Sequence, residues 1–125
     1  MTGNPEVRVR AWLAWGSGLT VGKGRAALLE GVERFGSITR AAAHVGVTYR
    51  TAWKWVEEMN TSAPGPLVLA AAGGKGGGGA VLTPAGSAIL AAYRLAVGRM
   101  NEAAGRVTEE VRGPPPPGTD PPART

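Results

Sequence analysis

The chain has 125 residues, 43% hydrophobic and 18% charged, enough for one modest core and too apolar for a disordered polymer. It has no cysteine and a single histidine, His44, which excludes disulfides, thiolate metal sites and multi-histidine metal sites. The net charge is +5; residues 1–100 carry eleven Lys/Arg against five Glu, and residues 101–125 three Arg against four acids, so the positive charge belongs to the part expected to fold.

Such a balance favours a polyanionic partner, nucleic acid or an anionic membrane. The apolar stretches are too short and too broken by glycine for a membrane span. The N-terminal run MTGNPEVRVRAW has no apolar core of a secretory signal. The expectation is a cytoplasmic protein without membrane association.

In chain order, VRVRAWLAW (Val7 to Trp15) alternates with period two and predicts a half-buried strand, broken by Gly16-Ser17-Gly18. Gly22 to Phe35 places Leu28, Leu29, Val32 and Phe35 at helical spacing, and Gly36 is suited to end that helix. Ser37 is an N-cap type of residue before a short helix whose inner face is Ile38, Ala41, Ala42 and Val45, stopped by Gly46. Thr48 caps the next helix, which runs to about Asn60 and buries Ala52, Trp55 or Val56, and Met59, with Trp55 the favoured core aromatic. Pro64-Gly65-Pro66 closes this helix off. Leu67-Val68-Leu69 and Ala80-Val81-Leu82 are β-like and flank the glycine loop 73–79, which together predict a hairpin. Thr83-Pro84 then starts a long helix over about 84–111, with an apolar surface of Ile89, Leu90, Tyr93, Leu95, Ala96, Val97 and Met100, and with Gly98 and Gly105 as places for a kink. Residues 113–125, GPPPPGTDPPART, read as a disordered, proline-rich tail.

The segment 37–60 has the spacing of a helix-turn-helix: small Ala42 at the helix crossing, Gly46 in the turn, and Ala41, Val45, Val47, Ala52 and Trp55 facing inward. The second helix keeps an outward face of Thr48, Tyr49, Arg50, Trp53, Lys54 and Glu57, several of which can donate hydrogen bonds to phosphates or base edges. A helix before the motif and a glycine hairpin after it give the order of a winged helix-turn-helix. Lys75 adds a charge to a loop whose backbone N–H groups are unshielded. That loop is not a Walker-type phosphate site, because Lys75 is followed by Gly76 rather than Ser or Thr. The fold class is therefore mainly α with a small β-hairpin, spanning 5–112.

The runs GKGRAALLEGVERFGSITRAAAHVGVTYRTAWKWVEEMN and GGKGGGGAVLTPAG closely resemble the N-terminal domain of the molybdate-responsive regulator (ModE) family, over about residues 5–105. A weaker likeness links them to the DNA-binding domain of LysR-type regulators. The resemblance implies a homodimer that binds a palindromic operator in double-stranded DNA, with the long last helix (about 84–111) and the first strand at the dimer contact. It implies recognition-helix roles for Thr48, Tyr49, Arg50, Thr51 and Lys54. Phosphate contacts fall to Ser37, Thr39 and Arg40, and wing contacts to Gly74, Lys75, Gly76 and Gly77. The resemblance does not carry molybdate binding with it. This chain shows no oxyanion-binding module after residue 112, and Pro64 stands where the family's Ser-Ala-Arg-Asn ligand motif would need arginine after Thr61-Ser62-Ala63. The LVLAAA run before the loop is also more apolar than the family pattern.

No nucleophile–base pair, paired carboxylates or metal-ligand set is present, so neither an enzyme nor a cofactor is expected. The rival reading is a degenerate winged helix that dimerises or docks a partner protein without reading DNA.

Overall fold

A computed structural model describes residues 3–71 and 79–114. They divide into two compact units, Ala11–Ala96 and the pair of segments Met1–Arg10 and Val97–Thr125. Both are mainly helical or extended, with eight elements in the order β1 (Leu13–Ala14), β2 (Thr20–Val21), α1 (Lys23–Phe35), α2 (Ile38–Val45), α3 (Tyr49–Ser62), β3 (Val68–Ala70), β4 (Ala80–Leu82) and α4 (Pro84–Val111).

In the larger unit the core is a sandwich of α1, α2 and α3 closed by the two small sheets. α1 buries Ala26, Leu28, Leu29 and Val32, and α2 buries Ile38, Ala41 and Ala42. α3 contributes Ala52, Val56 and Met59, while Leu19, Val21, Leu67, Val68, Ala80 and Leu90 complete the cluster. Each buried leucine or isoleucine contributes about 1.5–3 kcal/mol by leaving water. The helices α1 and α2 touch backbone to backbone at Gly31, where a Cβ would lie 2.8 Å from both Cα and Cβ of Ala41.

The helix ends follow the residues. The Ser37 hydroxyl accepts from the Arg40 N–H, and the Thr48 hydroxyl from the Thr51 N–H. Gly36 and Gly46 end α1 and α2 in the left-handed conformation, at φ 64° and 88°, which glycine adopts without a Cβ clash. The Ala42 carbonyl accepts from both the Gly46 and Val47 N–H groups, which turns the chain sharply into α3. Thr83 caps α4 by accepting from the Gly86 N–H, with Pro84 at the first helical position.

Three expectations need correction. The strand expected over Val7 to Trp15 shrinks to Leu13–Ala14. Alternation supplies two faces, but a ladder also needs a partner, and only these two residues find one, in Thr20–Val21. That second strand makes two small antiparallel sheets where one hairpin was expected. In α3 the core residue is Val56, fully buried, while Trp53 and Trp55 are half-buried against the core from its flanks. Spacing explains it: Ala52, Val56 and Met59 lie four and three apart, on one stripe, and Trp55 falls beside it. The long helix α4, Pro84–Val111, has the bounds expected from sequence.

The β3–β4 hairpin pairs as expected, in the register Val68↔Leu82, Leu69↔Val81 and Ala70↔Ala80. The residues Gly74, Lys75, Gly76 and Gly77, and the tail from 115 onward, lie outside the described residues.

In the smaller unit the described residues are 3–10 and 97–114. The Val7 N–H donates to Thr108 Oγ1 at 2.9 Å, and the Arg112 Nε–H to the Pro5 carbonyl at 2.6 Å. Thr108 also donates to the Ala104 carbonyl at 2.7 Å. Only Ala104 and Thr108 are buried here, while Val9, Met100, Val107 and Val111 remain exposed.

Candidate nucleic-acid interface

The outer surface of α3 collects the chemistry. Its buried stripe turns Arg50 and Lys54, four residues apart, to the opposite side, where both are exposed. Tyr49, Arg50, Thr51, Trp53, Lys54 and Glu57 line one shallow, open concavity. This brings together four of the five expected recognition-helix residues.

The fifth, Thr48, has a different job. Its hydroxyl accepts from the Thr51 N–H and donates to Thr51 Oγ1, both at 3.0 Å. A hydroxyl has one proton to give. Thr48 spends its proton on Thr51, and the Thr51 proton is thereby left to donate outward. Ser37 differs again: its oxygen accepts from the Arg40 N–H at 3.2 Å while its own proton remains available. Thr39 and Arg40 are exposed on the first turn of α2.

Ion pairing sorts the cations. In the larger unit Arg25 pairs with Glu58, and Arg94 with Glu30 at 3.1 Å and Glu33 at 3.4 Å. Among the described residues, Arg40, Arg50 and Lys54 have no carboxylate within salt-bridge distance, although Glu57 shares α3 with Arg50 and Lys54. Among the described residues nothing neutralises their charge, which is available to an anion. His44, in the last turn of α2, sits 3.6 Å from Glu30 and edge-on to Phe35.

Several residues that build this surface were not anticipated from sequence. The Asn60 side chain accepts from the Leu67 and Val68 N–H groups at 2.8 and 3.2 Å and donates to the Val68 carbonyl at 2.8 Å, tying the end of α3 to the root of β3. On the other strand, the Ala80 N–H donates to the Gly36 carbonyl at 3.0 Å, and Gly79 bridges Ser37. The base of the hairpin is thus fixed both to α3 and to the cap of α2. Trp55 packs against Gly24, with the Arg25 guanidinium 5.3 Å from its ring centroid, so α1 supports the flank of α3. An asparagine near a helix end reads in sequence as a stop signal, and nothing local announces its long-range bonds.

Among the described residues no group of three His, Cys, Asp or Glu could hold a metal ion, and no helix is long and apolar enough to cross a membrane.

A mainly helical unit with a basic, uncompensated helix face is the class these features define. No protein-family model matches the chain. It is similar to the molybdenum-pterin-binding protein MopB of Rhodobacter capsulatus, with 52% identity over 77 residues, 62% of this chain and 28% of that protein. It is also similar to the molybdenum transport protein ModE of Azotobacter vinelandii, 43% identical over 87 residues, 70% of this chain and 32% of that protein. A third relative is the DNA-binding transcriptional dual regulator ModE of Escherichia coli K12, 44% identical over 71 residues, 57% of this chain and 27% of that protein. The matches thus span about a third of these relatives' length or slightly less. None of the three is named as an enzyme.

Proposed function

We propose that this chain is a sequence-specific DNA-binding transcriptional regulator of the ModE type, folded as a winged helix-turn-helix. α2 and α3 form the helix-turn-helix, and α3 is the recognition helix. The β3–β4 hairpin with its glycine loop is the wing.

The observation that carries this reading is a set of three cations, Arg40, Arg50 and Lys54, without a carboxylate partner among the described residues, on two helices joined by a three-residue turn. A cation left without a carboxylate suits phosphate and guanine, and Arg50 can bond guanine O6 and N7 through two N–H groups. The free protons of Ser37 and Thr51 suit phosphate oxygens. Gly74, Lys75, Gly76 and Gly77 would approach the backbone beside them. The relative in Escherichia coli is named as DNA-binding, which supports the same reading.

The chain acts as a homodimer in this account. In the smaller unit the exposed Val9, Met100, Val107 and Val111 leave an apolar surface that two segments alone do not cover. A two-fold dimer matches a palindromic operator. The molybdenum named for the relatives is no part of this reading.

The test is enrichment of duplexes from a randomised DNA pool, followed by gel-shift with the enriched and a scrambled duplex. A palindromic consensus with tighter binding than the scrambled duplex supports the proposal. Equal binding to both would leave the protein-docking alternative in its place.

A further inference from the structure

We propose that Tyr49, braced by Trp53, reads the C5-methyl group of thymine in the major groove. This rests on the DNA-binding reading above and names the base that the aromatic edge of α3 selects.

Across α1, α2 and α3, Tyr49 is the single large apolar side chain that is exposed, at 47%. An exposed ring leaves apolar surface in water in the free chain. Its position is not random: it is the first residue of α3, beside Arg50, in the concavity that Arg50 and Lys54 also line. Recognition helices present their N-terminal residues to base edges. The ring is also held. Trp53, one helical turn on, is half-buried against the core and meets Tyr49 edge to face, with centroids 6.4 Å apart and planes at 73°. A ring fixed in this way loses little freedom on contact, since tyrosine has only two side-chain torsions.

The partner follows from groove chemistry. The major-groove edges of the base pairs are polar except for the thymine methyl group. Arg50 and Lys54 supply donors for the polar edges and cannot sense that methyl. An apolar ring can.

The experiment takes the duplex enriched by the wild-type protein and replaces its thymines one at a time with deoxyuridine. Loss of one buried methyl weakens binding about fourfold. That loss is expected at one thymine in each half-site. Tyr49→Ser should bind the thymine and deoxyuridine duplexes equally, while Tyr49→Phe should keep the wild-type preference. Circular dichroism checks that both variants are folded. The inference is overturned if every deoxyuridine is neutral, or if Tyr49→Ser keeps the preference. It is also overturned if Tyr49→Phe loses it, which would give the phenol a phosphate contact instead. Failure to enrich any duplex would remove the DNA-binding reading and this inference together; enrichment without a methyl effect removes this one alone.

Discussion

Replacing Asn60 with alanine removes three hydrogen bonds at once. The Leu67 N–H, the Val68 N–H and the Val68 carbonyl lose their side-chain partner. Leu67 and Val68 are 0% and 2% exposed, so water reaches these groups poorly. A buried backbone group left unpaired costs about 1–3 kcal/mol. The three bonds lie at partly buried depth, which argues for the low end, about 2–4 kcal/mol in total. Against a domain stability of about 5–15 kcal/mol this is a large fraction. Urea unfolding followed by far-ultraviolet circular dichroism should show a lower midpoint with an unchanged slope. The melting temperature should fall by about 10 °C or more. Asn60→Asp should also destabilise, because it replaces the donor that faces the Val68 carbonyl with a second acceptor. An Asn60→Ala variant within about 0.5 kcal/mol of wild type would refute the reasoning, because substitutions of that size leave no buried network broken.

Three further outcomes follow from the same geometry. Gly86→Ala should destabilise the fold despite the better helix former, since its Cβ would lie 2.2 Å from the Leu67 carbonyl oxygen; Gly98→Ala, with open space around it, should stabilise by up to about 1 kcal/mol, both read by thermal melting. Thr48→Ala should cost about 1 kcal/mol through loss of the cap on α3, while Thr48→Ser restores it in the same melts. Light scattering at micromolar concentration should report a dimer, converted toward monomer by Met100→Glu with Val107→Asp; a monomeric wild-type chain would contradict the assembly.

Much of this was legible because it is written in local chemistry. Ser37, Thr48 and Thr83 are hydroxyl residues before apolar periodicity, and each caps the expected helix. Gly36 and Gly46 mark turns that need positive φ, and the loop-flanking LVL and AVL runs pair in the expected order. What escaped notice depends on partners distant in sequence. The VRVR alternation looks like a strand, yet the Val7 N–H goes to a helix threonine 101 positions away. The β2 strand is two residues long, too short to carry a pattern. Asn60, Gly24 and Arg25 gain their roles only when α3 meets its neighbours. On the outer face of α3, the helix-turn-helix spacing and the family resemblance pointed to Arg50 and Lys54. The ion pairs of Arg25 and Arg94 take those two cations out of the candidate set, while Arg40, Arg50 and Lys54 stand without a carboxylate partner among the described residues.

The central claim is that the outer face of α3 binds DNA through those cations. The most direct measurement is the fluorescence anisotropy of an enriched duplex titrated with wild-type protein and with Arg50→Ala/Lys54→Ala across a salt series. Each phosphate contact adds about −0.9 to the slope of log affinity against log salt. The account predicts steeply salt-dependent binding by wild type. It predicts at least a tenfold loss, about 1.4 kcal/mol, in the double variant with an unchanged circular dichroism spectrum. Equal affinity and equal salt dependence for the two proteins would contradict it.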